Sequence, residues 1–184
     1  MTHRVGVIVG STRPNRVSIH LAKWLIQQLQ TPQLELQLLD LKTIALPFLD
    51  EGDIPAHHNY TQLHTKQWSV TINACEAIVV LFPQYNWGYP APLKNAFDYL
   101  YDEWRNKPIS LITYGNHGGT QAMAAFKLVI AGLKMKSLAV NPQININPTM
   151  FNTDGSLIDA DYDLGKYRLA IKLLQQELIH ELVK

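Results

Sequence analysis

Residues 5–9 (VGVIV) form a short apolar run that ends at Gly10 and a polar stretch, 11–16 (STRPNR). Val17, Leu21, Trp24, Leu25, Ile26 and Leu29 then recur at helical spacing. Strand, polar loop and helix in that order open a βαβ unit. Residues 34–39 (LELQLL) alternate at first and predict a second strand. The Pro-, Asp-, Gly- and His-rich stretch 43–59 predicts a loop, and 61–74 predicts a weakly patterned helix. Residues 77–82 (AIVVLF) are uninterruptedly apolar, as a strand covered on both faces requires, and Pro83 stops them.

Pro92 suits the first position of a helix. The stripe Leu93, Ala96, Phe97, Leu100, Tyr101 and Trp104 predicts that this helix runs to 104. Residues 109–114 predict a fourth strand, 120–133 a fourth helix and 138–146 a fifth, less regular strand. The last helix is expected over 161–183, with Leu169, Leu173, Leu174, Leu178 and Leu182 facing inward. Five strands alternating with five helices predict an α/β fold, a doubly wound parallel sheet with helices on both faces, as one domain over 1–184.

Composition narrows the function. The chain is 47% hydrophobic and 17% charged, a globular balance. A net charge of +1 argues against nucleic acid or an anionic membrane as partner. One cysteine builds neither a disulfide framework nor a thiolate metal site. The opening MTHRVGVIVGSTRPN has too few apolar residues for a signal peptide, and no 18-residue apolar run follows, so a cytoplasmic protein is expected.

Chemistry concentrates in the loops after strands one, three and four, which share one edge in a doubly wound sheet. Gly10 to Ser18 combines hydroxyls, Arg13, Arg16 and the amides of a helix N-terminus, a set suited to a phosphate dianion. It lacks the Gly-x-Gly-x-x-Gly spacing of a dinucleotide loop and the Gly-Lys-Ser/Thr ending of a triphosphate loop; plain helix capping is the alternative. Pro83 to Pro92 carries Tyr85, Trp87 and Tyr89 between Pro and Gly residues, suited to a flat conjugated ligand or to a partner subunit. Tyr114 to Thr120 holds Gly115, Gly118 and Gly119, and its amides can donate to a carbonyl edge or a developing anion. Together the loops describe a site for a mononucleotide with a flat heteroaromatic head, for which FMN is a better fit than an adenine nucleotide.

The blocks Gly10-Ser11-Thr12-Arg13, Pro83-Gln84-Tyr85-Asn86, Tyr89-Pro90-Ala91-Pro92-Leu93-Lys94-Asn95-Ala96-Phe97-Asp98, Tyr114-Gly115 and Gly118-Gly119 resemble, in order and spacing, the NAD(P)H-dependent FMN reductases among flavodoxin-like proteins. The resemblance implies a five-stranded sheet of order 2-1-3-4-5. It implies an FMN phosphate held by Ser11, Arg13, Arg16, Val17 and Ser18, with the flavin bordered by Pro83, Gln84, Tyr85, Asn86 and Trp87. It places the pyrimidine edge near Gly115, Asn116, His117 and Gly118. It also implies hydride transfer from NAD(P)H to free flavin, a quinone, an azo dye or another small-molecule acceptor, and a homodimer or tetramer built through the helix after the aromatic loop. Asn116 departs from a common glycine at that position, and Asn tolerates the left-handed conformations a glycine loop uses.

No dedicated catalytic acid or base is required, because the ring chemistry belongs to the cofactor. His117 is the one candidate proton donor, against its reading as a solvent-facing histidine. Trp87, Tyr89 and Tyr101 are expected to line the open face, and these with Trp104 are an aromatic load that predicts dimerisation. His57, His58 and His64 are expected to be solvated rather than metal-binding. Cys75 is expected to be a buried, inert thiol. Asp40 and Asp50 read as solvated or capping. A non-catalytic FMN electron carrier and a redox-sensing module are the rival readings, and a net charge of +1 lacks the acidic docking surface the carrier would want.

Overall fold

The computed structural model describes residues 1–184. Strands β1 (His3–Val9), β2 (Leu34–Asp40), β3 (Ala77–Pro83), β4 (Pro108–Gly115) and β5 (Lys136–Ser137) lie in the order β2-β1-β3-β4-β5, and β6 (Gln143–Asn145) also pairs with β4. Every pairing is parallel. The expected flavodoxin-like order is the observed one.

Alternation along the strands divides the core in two. Ile8, Ile78, Val80, Phe82, Ile109 and Leu111 face α3 (Leu63–Asn73), α4 (Ala91–Asp98) and α5 (Thr120–Gly132). Val5, Val7, Val9, Ala77, Val79, Leu81 and Ile112 face α1 (Ser18–Leu29) and α7 (Arg168–Leu182). β3 is buried at every residue, which explains its unbroken apolar run.

Four expectations change. First, the helix after the aromatic loop stops at Asp98 rather than at 104. The indole Nε1 of Trp104 donates to Phe97 O at 3.0 Å, that of Trp68 donates to Ala96 O at 2.8 Å, and the Tyr101 amide turns to the Glu103 carboxylate at 3.3 Å. The carbonyl that would continue the helix is occupied, yet Leu100 and Trp104 stay buried. Second, the fifth strand is split. Between Ser137 and Gln143 the chain carries two more residues than β4 does over the same interval. Asn141 fills the break, its Oδ1 accepting from the Leu111 amide at 2.8 Å, while Ser110 Oγ donates to Val140 O at 2.7 Å.

Third, the last helix is two helices, α6 (Ala160–Leu164) and α7, joined through a 3-10 turn that starts at Gly165. Leu169 and Leu173 are exposed, not inward, and Ile171, Leu174 and Leu178 form the buried face. Fourth, the 43–59 stretch begins with a short helix, α2 (Leu41–Ile44), N-capped by Asp40. Beyond α2 it is pinned by α4 and its sequel: Asn95 accepts from the Leu49 amide and donates to Pro47 O, and the Tyr99 hydroxyl bonds Pro47 O and Asp50.

Candidate active site at the carboxyl edge of the sheet

Registers Val9 with Asp40 and Pro83 with Tyr114 bring the carboxyl ends of β1 to β4 to one edge. A cleft of about 480 Å³ opens there, lined by all three loops. Ser11, Arg13, Arg16, Val17, Pro83, Gln84, Tyr85, Gly115, Asn116 and His117, each expected from sequence, line it. Pro14, Asn15, Tyr114, Gly119 and Ile146 line it as well.

The loop after β1 suits an anion. No backbone N–H from Ser11 to Ile19 donates within the chain, and no side chain caps α1. Unpaired amides at the start of a helix of this length, with the helix dipole behind them, favour negative charge. The Ser11 hydroxyl lies 2.7 Å from the Tyr85 hydroxyl, and the exposed Arg13 guanidinium sits 5.8 Å from the Tyr85 ring centre. Arg16 is bound to Asp40 through its terminal nitrogen, while its Nε is buried with no partner. Ser18 does not line the cleft, and its buried Oγ also lacks a partner. These orphaned donors beside free amides fit a phosphate, since buried polar groups are seldom left unpaired. Asp40, read from sequence as solvated or capping, does cap α2 and is also the partner of Arg16.

The loop after β3 makes a tight turn in which the Tyr85 and Gly88 backbones exchange hydrogen bonds of 2.9 and 2.8 Å. Its central residues, Asn86 at φ 46 and Trp87 at φ 67, both adopt the left-handed conformation of a type I′ turn. Neither lines the cleft; Trp87 projects into solvent, 73% exposed. Tyr89 packs edge-on against Phe126, Tyr101 is half-buried, and Trp104 is fully buried against Phe97. Of the aromatics expected on a shared surface, Trp87 alone is largely exposed.

The loop after β4 turns on Gly118 and Gly119, at φ 71 and 82. A side chain at Gly118 would meet Gln143 Cβ at 2.9 Å, and one at Gly119 would meet Thr113 Cβ at 3.0 Å. Asn116 has no positive φ, so it replaces glycine there without backbone strain. The Gly118 amide is taken by Gly115 O at 3.2 Å, and Gly118 does not line the cleft. The amides of Asn116 and His117 remain free. Burial pushes the Tyr114 hydroxyl pKa well up, so this cleft residue stays neutral. His117 is exposed, without a protein partner.

Outside the cleft, His57, His58 and His64 pair separately with Asp53, Asp102 and Asp50. No group of three metal-ligating side chains exists in the chain. Cys75 is buried, and burial pushes its thiol pKa up, as an inert thiol requires. No helix is long and apolar enough to cross a membrane.

Free amides and arginines at one end, a tyrosine wall, and a glycine turn at the other define an α/β protein of the mononucleotide-binding, doubly wound class. The family described as NADPH-dependent FMN reductase matches residues 3–147, and the chain belongs to it. It is accordingly an oxidoreductase of a family that works with FMN and NAD(P)H. Among curated relatives, NAD(P)H-dependent FMN reductase LOT6 of Saccharomyces cerevisiae is 41% identical over 144 residues, 72% of this chain and 75% of that one. The FMN-dependent NADPH-azoreductase of Staphylococcus aureus is 30% identical over 167 residues, 86% of each chain. In fold the chain is similar to FerB, a flavoenzyme NAD(P)H:(acceptor) oxidoreductase from Paracoccus denitrificans, with a TM-score of 0.76, 22% identity and 98% of each chain covered.

Proposed function

We propose that this chain binds FMN in the carboxyl-edge cleft and passes hydride from NAD(P)H to a small acceptor such as free flavin, a quinone or an azo compound. The observation that carries this reading is the set of unbonded amides of Ser11, Arg13, Asn15, Arg16 and Val17, with the Arg13 and Arg16 side chains, lining one cleft with the free amides of Asn116 and His117. In this reading Ser11, Arg13 and Val17 face the phosphate, with Arg16 Nε and Ser18 Oγ in reserve. Pro83, Gln84 and Tyr85 border the flavin. Asn116 and His117 donate to its pyrimidine edge, where negative charge collects on reduction. Bound FMN would supply the hydride-accepting ring; the protein places it and leaves one face open for nicotinamide to stack. No side chain is assigned as a catalytic acid or base; His117, exposed and without a protein partner, is the one candidate proton donor at that edge. The chain is proposed to act as one unit over 1–184, as a cytoplasmic homodimer, with Trp87 as the exposed anchor near α4.

Purified protein is expected to be yellow and to release FMN on denaturation. It is expected to oxidise NAD(P)H in the presence of a quinone. A colourless protein that takes up no added FMN removes the reading; a yellow protein without steady-state NAD(P)H oxidation removes the enzymatic part.

A further inference from the structure

The N-cap position of α5 is Gly119, which has no side chain to cap the helix. The cap comes from elsewhere: Gln84 Oε1, in the loop after β3, accepts from the Gln121 amide at 3.1 Å and the Ala122 amide at 3.2 Å. The Gln84 backbone amide also donates to Tyr114 O at 3.3 Å. One residue therefore fastens the aromatic loop to both ends of the glycine loop. Only oxygen can accept from two N–H groups, so the side-chain amide has one permissible orientation. Its Nε2 is left without a partner in the chain, on a residue that lines the cleft.

We infer that Gln84 is a positioning residue that sets the spacing of two cleft walls by capping α5 in trans, and that the cap fixes its Nε2 as a hydrogen-bond donor selecting an acceptor atom on the cleft ligand. The second half rests on the FMN reading above; the first does not. The cap also commits two amides of α5, so the anion-binding capacity of the cleft lies at the start of α1. A carbonyl or unprotonated ring nitrogen satisfies the donor, and a ligand presenting N–H there is disfavoured.

The test uses the full chain with Gln84→Ala and Gln84→Glu. Glutamate keeps two acceptor oxygens for the α5 amides but has no donor. Hydrogen exchange at Gln121 and Ala122 in the FMN-free protein is expected to rise about tenfold in Q84A and to stay protected in Q84E. Unchanged exchange in Q84A overturns the trans cap. FMN titration is expected to show affinity about tenfold weaker in both variants, with displaced flavin absorption bands in Q84E. Wild-type affinity in Q84E overturns the donor assignment while leaving the cap standing. If the wild type itself takes up no FMN, the FMN reading and the donor assignment fall together, and exchange alone decides the cap.

Discussion

Arg16 and Asp40 form an ion pair that ties the loop after β1 to the last residue of β2, with 9% and 11% of the two side chains exposed. The pair converts what sequence alone presents as two separate charges into one strut. It also divides the guanidinium, one nitrogen held by carboxylate and Nε kept without a protein partner.

Asp40→Asn keeps an α2 cap, because Asn caps about as well as Asp, but strips the charge that compensates Arg16. We expect a loss of about 1–3 kcal/mol of stability, less than for a fully buried pair because both groups retain some solvent contact. Urea unfolding measures it. A midpoint equal to that of the wild type means the strut carries no load.

Arg13 differs from Arg16. It is exposed, has no ion-pair partner, and leans on the Tyr85 ring. Arg13→Ala is expected to weaken FMN binding by about 1.5–3 kcal/mol, the scale of a hydrogen bond to a charged group, while leaving the thermal midpoint of the FMN-free protein in place. Unchanged affinity in a titration counts against the phosphate assignment.

Trp87 holds φ 67 with its side chain in solvent. A left-handed conformation costs an L-residue roughly 1–2 kcal/mol that glycine does not incur. Trp87→Gly is therefore expected to stabilise the monomer by about 1 kcal/mol, read by thermal melting at low concentration. Light scattering of the same variant reports whether the indole anchors self-association, in which case the mass falls. A destabilised variant of unchanged mass contradicts both roles.

Glu51 is one of the carboxylates through which acid destabilises the fold. Burial raises its pKa, but the Thr61 amide and hydroxyl, at 2.9 and 2.7 Å, the Thr65 hydroxyl and the Gln62 amide, at 3.0 Å, together outweigh that and hold it at about 2 against an ordinary 4.5. The folded state thus binds this proton less readily than the unfolded chain. The contribution is complete above about pH 4.5 and fades as pH falls toward 2. Glu51→Gln removes the carboxylate, so its stability deficit is expected to shrink as acid is added. A deficit constant from pH 7 to pH 3 assigns the effect to shape instead of charge.

What sequence discloses here follows from how local each cause is. β1, β3 and β4 were legible because strands covered on both faces need continuous apolar runs. The three loops were legible because their residue types announce their chemistry. The early end of α4 was not: Trp104 keeps helical spacing while its indole takes the Phe97 carbonyl, and only folded coordinates reveal that exchange. The two roles of Gln84 and the Arg16–Asp40 pair also depend on residues distant in sequence. Tyr114 and Gly119 carried a signal, lying in a loop already singled out. Pro14 and Asn15 sat between named residues, while Ile146 reaches the cleft from beyond the split strand and had no local sign. The break in the last helix did have one, Gly165, obscured by leucines that continue the period on either side.

The interrupted pairing beside β4 has a bearing on behaviour in concentrated solution. Two short rungs separated by an asparagine offer a stranger's backbone no continuous ladder to copy. At this margin the sheet is finished off by a side-chain amide, which on this side denies other chains a straight template for extension into fibrils.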